Sequence, residues 1–141
     1  MRINNSTTDH AIRMLLILAK RNKTVSSAEI SRMLNISQRY LLSVGARLRD
    51  AGVITVSHGS SGGYKLILDP AEVSFYDIIV LFQGEMEPRN WIDPELTEFA
   101  TLQGVNAAFD CVESRIEGHL KGLTLQFILD QTADTERASY Q

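Results

Sequence analysis

Gln38, Arg39, Ser43, Arg47 and Arg49 all carry hydrogen-bond donors, and no carboxylate stands among them before Asp50. Guanidinium forks, amides and hydroxyls of this kind bond to base edges and phosphate oxygens. The chemistry they suit is recognition of a polyanion. A second polar group follows in His58, Ser60, Ser61 and Lys65. It is interleaved with Gly59, Gly62 and Gly63, where backbone can come close to a phosphate. Bond-making constellations are not found. The sequence has no phosphate-cradling loop, no G-x-S-x-G elbow, no H-E-x-x-H and no cysteine–histidine metal spacing. His10 reads as a surface residue, and Glu117 and His119 as a solvated helix face, so no enzyme and no metal site are expected. Cys111 is the single cysteine. It is expected as a small buried hydrophobe. The sharper alternative is a redox-sensing thiol, although Asp110 and Glu113 beside it would repel the thiolate that such chemistry needs.

Elements that could position the polar residues follow from spacing. Ser26 and Glu29 have the S-x-x-E capping-box separation. Ile30, Met33 and Leu34 then form an apolar stripe, and Asn35 tolerates the left-handed conformation that stops a helix. Ser37 caps the next helix, whose buried face is Leu41, Val44, Leu48 and Ala51, with Gly52 where a C-terminal cap belongs. The donor residues lie on the opposite face. This is a helix-turn-helix with its recognition helix. Upstream, residues 8–21 form a bracing helix with Ala11, Ile12, Leu15, Leu16, Leu18 and Ala19 inward and Thr8 or Asp9 as cap. Downstream, residues 53–57 and 64–68 alternate as β-formers around the glycine-rich tip, a hairpin that serves as a wing. An ordinary hairpin turn is the plainer reading of that tip taken by itself.

Ser74 and Asp77 cap a short helix over residues 74–83 whose apolar side is Phe75, Ile78, Ile79 and Phe82. Residues 84–94 contain Gly84, Pro88 and Pro94 and form a linker loop, in which Trp91 is expected to pack on a core. Asp93, Pro94 and Glu95 open a long helix. In it Leu102, Val105, Phe109, Val112 and Ile116 recur at steps of three and four, a heptad-like seam interrupted by Gly104 and Gly118. The seam predicts a homodimer that presents two recognition helices to a palindromic double-stranded DNA site. The competing reading packs the helix back on its own domain. The expected organisation is a winged helix-turn-helix domain over 1–83, a loop over 84–94 and a dimerisation helix over 95–122. A terminal helix over 123–130 packs back, and 131–141 form a flexible tail. The fold class is thus mainly α with a small β-hairpin wing.

Composition supports the partner. Residues 1–70 hold ten Lys and Arg against four Asp and Glu, a net +6; residues 71–141 hold four against thirteen, a net −9. A basic half joined to an acidic half lets the first meet nucleic acid while the second does not. Hydrophobic residues at 44% suit a globular chain. Apolar runs fall far short of the ~20 residues of a membrane span, the N-terminus shows no apolar signal region, and one cysteine suits a reducing compartment. A cytoplasmic protein without a membrane partner is expected.

The run YLLSVGARLRDAGVITVSHGSSGGYKL, the Asp69-Pro70 that follows and the later LKGLTL resemble the Rrf-two family of bacterial winged-helix regulators. The similarity extends over about residues 1–130. Tyr40-Leu41, Leu48-Arg49 with Ala51-Gly52, and Gly62-Gly63-Tyr64 are its most specific parts. The resemblance implies a dimeric transcription factor, usually a repressor, with Ser37, Arg39, Tyr40 and Ser43 on the helix and His58 in the wing touching DNA. His58 stands where the family often has arginine. Many members hold an iron–sulfur cluster through three cysteines in the loop and the start of the long helix. Here residues 84–110 contain no cysteine, and Gln103 and Asn106 fall at the positions of a cluster cysteine and a histidine. Amides are poor ligands for such a centre, and Asp9, which matches an acidic ligand of one member, cannot hold it alone. No cofactor is expected. Control would come from a small-molecule effector in a pocket between wing domain and long helix, or from a regulatory protein. The alternative function is a winged-helix module that works through protein contacts.

Overall fold

The computed structural model describes residues 3–85, Glu95 and residues 99–140. Its elements are helices α1 (Ser6–Arg21), α2 (Ser27–Leu34) and α3 (Gln38–Asp50), strands β1 (Ile54–Ser57) and β2 (Gly63–Leu66), and helices α4 (Phe75–Gln83), α5 (Phe99–Gly122) and α6 (Leu125–Ser139). Fold and element order agree with a winged helix-turn-helix followed by a long helix.

Local caps set most boundaries. Asn5, not Thr8 or Asp9, caps α1, its side chain accepting from the Thr8 amide at 2.8 Å. Thr8 is instead fully buried, and its hydroxyl donates to Gln83 Oε1 at 2.8 Å. Ser26 caps α2 by accepting from the Glu29 amide, but the return half of the expected box does not form. The Glu29 carboxylate turns to Arg21 at 3.0 Å, where a full charge is a stronger partner than an amide. Asn35 ends α2 with φ 55°, and Ser37 caps α3 by accepting from the Tyr40 amide. The reciprocal box does close at Ser74 and Asp77.

The core gathers Ala11, Ile12, Met14, Leu15 and Leu18 of α1 with Ile30, Leu41, Val44 and Leu48 of the helix-turn-helix. Met14 joins the face expected for α1, while Leu16 and Ala19 are only half-buried. Ala51 is exposed rather than core, because α3 has already ended at Asp50. Met33 is 47% exposed beside the Arg21 side chain. The hairpin is shorter than the β-forming runs. Its antiparallel register pairs Ile54 with Leu66 and Ser57 with Gly63, and Ile67 and Leu68 lie beyond it.

The end of α5 is anchored to the first unit through α4. Phe75 donates its amide to Leu123 O at 2.8 Å, and Leu125 donates to Val73 O at 3.0 Å with its side chain fully buried. The last helix continues past Asp130 to Ser139, so residues 131–139 are helical where a frayed tail was expected. A Lys20–Glu136 ion pair ties it to α1, and its own Gln126–Asp130 bond lies on one helix face. The expected helix start at Asp93 and Pro94, and Trp91, lie outside the described residues; Glu95 is in a turn.

Candidate nucleic-acid interface

Helix α3 presents two kinds of polar residue. Gln38 and Arg39 are exposed and make no hydrogen bond or ion pair among the described residues. Their donors are available to a ligand. Ser37 and Ser43 are exposed but partly committed: Ser37 caps the helix, and Ser43 donates to Tyr40 O at 2.7 Å. Tyr40 is half-buried, with its hydroxyl 3.1 Å from His10 Nδ1 and the two rings edge to face at 5.5 Å. His10 is therefore no idle surface residue, since α1 uses it to hold the orientation of a side chain on α3.

Arg47 faces another way. Its guanidinium donates to Leu81 O at 2.8 Å and lies 4.4 Å from the Phe82 ring centroid. It clamps α3 to the last turn of α4. The position flanks the buried stripe, three residues after Val44 and one before Leu48, so the neighbouring element decides its direction. Arg49 pairs with Asp50 at 3.0 Å.

The wing is fixed by its glycines in a manner the sequence did not suggest. Tyr64 is 3% exposed and lies over Gly45 of α3, where a β-carbon would come within 2.7 Å of the ring. Val25 and Tyr64 exchange both backbone hydrogen bonds at 2.9 Å. At Gly63 a β-carbon would meet Val25 O at 2.2 Å, so the adjoining strand needs glycine there. Burial pushes the Tyr64 phenol up, and the charge of Arg49 opposes that rise. His58, Ser60 and Ser61 are exposed at the tip, which a bond from the Gly62 amide to Gly59 O at 3.1 Å closes. Lys65 is exposed but sits in β2 opposite Thr55, along the strand from that tip.

A basic helix face beside a glycine-tipped hairpin is the arrangement of DNA-binding regulators, and comparison with known proteins gives the same result. The family model for Rrf2, described as "Iron-dependent Transcriptional regulator", matches residues 4–131. The chain belongs to the Rrf2 family. This Rrf2 chain is 28% identical over 88 residues to the HTH-type transcriptional regulator CymR of Bacillus subtilis, covering 61% of this chain and 64% of that one. The solved structure of T. potens IscR superposes with a TM-score of 0.73 at 25% identity, over 94% of this chain and 88% of that one. The structure of CymR, the global cysteine regulator of B. subtilis, superposes with a TM-score of 0.71 over 93% and 98%. At 24% identity that last likeness concerns the fold. The Rrf2 chain is thus a DNA-binding transcriptional regulator of a bacterial type, from a family of regulators rather than enzymes.

Its side chains do not fit the iron–sulfur cluster of other Rrf2 members. The Asn106 amide donates to Gln103 Oε1 at 2.9 Å, so the two candidate positions hold each other. The Asp9 carboxylate takes Arg13 Nε at 2.6 Å. Among the described residues no three His, Cys, Asp or Glu side chains gather where they could hold a metal ion. Cys111 is exposed on α5, not buried as expected. Glu117 does not stand alone either: Lys121 donates to it at 2.6 Å, and that ammonium lies 4.6 Å from the Tyr76 ring centroid of α4. Among the described residues no helix is long and apolar enough to cross a membrane.

Proposed function

We propose that the chain acts as a homodimer that places two α3 helices and two wings on a palindromic operator, where it represses transcription. Gln38, Arg39, Ser43 and Tyr40 read the major groove, with Ser37 at the helix start. His58, Ser60, Ser61 and Gly62 meet the adjoining groove or backbone, and Lys65 adds charge behind them. Arg47 fixes the helix on its scaffold. One observation carries the dimer: Leu102, Val105, Phe109 and Val112 of α5 are 36, 54, 52 and 52% exposed along one seam. Half-exposed apolar side chains of this size stabilise a partnered state by ~1 kcal/mol each when covered. The seam runs on a helix whose far end is docked to the DNA-binding unit, so pairing it fixes the separation of two recognition helices.

Control without a cluster calls for a small molecule or a partner protein. Exposure of Cys111 next to Val112 favours a second reading, in which oxidation of that thiol alters the dimer. A Cys111→Ser chain that responds normally to oxidant would remove it. The test of the main reading is selection of genomic DNA fragments by the purified full chain. Enrichment of one palindrome supports it. Loss of all sequence preference, with fragments recovered only non-specifically, would point to the protein-interaction alternative.

A further inference from the structure

The described residues line a half-open cavity of about 360 Å³ where the DNA-binding unit meets the long helix. Ile12 and Leu16 of α1, Phe75 and Ile79 of α4 and Leu120 of α5 form its apolar wall, with Ile3 at the edge. Leu16, Phe75, Ile79 and Leu120 are half-buried and line this space. The volume lies near the lower end of the ~300–1,000 Å³ usual for small-molecule sites. It suits a ligand of modest size.

Asn4, Asp9 and Arg13 are its polar lining, and the exposed side chains of Arg13 and Asp9 set them at the solvent-facing mouth. Arg13 gives only its Nε to Asp9, and neither its terminal nitrogens nor the Asn4 amide makes a hydrogen bond among the described residues. Hydrogen-bond donors therefore outnumber acceptors at an apolar opening, and a guanidinium edge matches a carboxylate in a bidentate manner. We propose that this cavity is the effector site and that it binds a small apolar carboxylic acid, tail inward against Phe75 and Ile79, with its carboxylate on Arg13. The inference rests on the reading of the chain as an effector-controlled regulator and names the class of effector.

Two of the cavity's walls lead to the recognition helix. On α1, Asp9 adjoins His10, which holds the Tyr40 hydroxyl. On α4, the lining Ile79 lies two and three residues before Leu81 and Phe82, which hold Arg47. In the same turn Gln83 accepts from the Asn5 amide at 3.0 Å and from the Thr8 hydroxyl. A ligand that spreads α1 from α4 acts on these attachments directly, which gives it differential affinity for two settings of α3.

The test is a calorimetric titration of the full chain, without DNA, with hexanoate, octanoate and phenylacetate and with the matching amides. The acid of best fit should bind about tenfold more tightly than its amide, the usual scale of one charge-assisted hydrogen bond. Arg13→Gln should abolish that preference, and Asp9→Asn should strengthen it by removing the competing carboxylate. Ile79→Trp should abolish binding of acid and amide alike. Should that variant not fold, the two mouth variants, both at partly exposed positions, decide by themselves. Binding of no acid, equal binding of acid and amide, or wild-type binding by Arg13→Gln would overturn the proposal. With no DNA in the cell, such a failure leaves the operator reading untouched. Loss of operator recognition in the selection experiment would leave a positive titration standing as a ligand site without that output.

Discussion

At the scale of single residues, the two arginines of α3 differ in what they hold. Arg39 is exposed and makes no bond among the described residues, whereas Arg47 is spent on Leu81 O and Phe82. Arg39→Ala should cost ~1–3 kcal/mol at the specific operator and leave thermal stability unchanged. Arg47→Ala should remove a charge-assisted hydrogen bond and a cation–π contact at an exposed site, about 1 kcal/mol of fold stability. Electrophoretic titration and thermal unfolding of both variants check the assignment. A destabilised Arg39→Ala, or an Arg47→Ala that loses only base preference, would reverse it. The difference was not legible from residue types, since both arginines lie outside the apolar stripe. Arg47 stands at its margin, where only the presence of α4 decides between solvent and scaffold. Arg39 and Ser43 lie far from the stripe, and their exposure was legible for that reason. Cys111 was misread for a related cause: an apolar neighbourhood in sequence becomes an exposed one where the described residues leave that position of the helix uncovered.

Elements were most legible where one side chain acts on its own turn. Ser37, Ser74 and Asn35 set helix ends locally, and each boundary fell where its chemistry placed it. Polar α6 was lost past Asp130 because its support is long-range, as in Lys20–Glu136. The cavity was anticipated only as a location, since its walls come from helices distant in sequence. Wing placement also depends on distant pieces: Tyr64 uses Gly45 as its seat. Gly45→Ala therefore forces the ring aside, and the overpacking should exceed the gain in helix propensity, for a net loss of ~1–2 kcal/mol. A lowered thermal midpoint together with weaker operator binding is the expected result; unchanged values would show that Tyr64 moves freely. Within α5 an ion pair of Glu117 and Lys121 reaches α4 through the Tyr76 ring and adds an electrostatic link to the backbone bond between them. The hydrogen bond from Lys121, with a further bond from Tyr76, holds the Glu117 carboxyl below its ordinary range. A carboxyl lowered in this way stabilises the folded state above its unfolded pKa of about 4.3, and that contribution is lost as pH falls through the lowered value. Wild type should thus be more stable than Glu117→Gln near neutrality, with the difference vanishing in acid. A difference that persists there would mean the carboxylate charge is not what joins the helices.

For the whole molecule, charge and symmetry must act together. The basic first half, net +6, is the half suited to phosphate contacts, while the acidic second half, net −9, carries the exposed apolar seam. An operator that followed the acidic half would be repelled, so the proposed arrangement sets DNA against α3 and the wing with α5 away from it. In the proposed dimer the number of phosphates neutralised depends on pairing through the seam. Each contact releases counterions, and the slope of log affinity against log salt is roughly −0.9 per phosphate. A dimer with two identical readers should have about twice the slope of a single unit. Substituting both Val105→Asp and Val112→Asp adds charge to the seam without touching α3 or the wing. The variant should sediment as a monomer, bind a full palindrome no better than one half-site, and show about half the wild-type salt slope. Sedimentation and fluorescence anisotropy across a salt series measure all three. A monomer that keeps the full slope would place every phosphate contact in one chain and remove the need for a palindrome. A variant that stays dimeric would move the interface away from this face of α5.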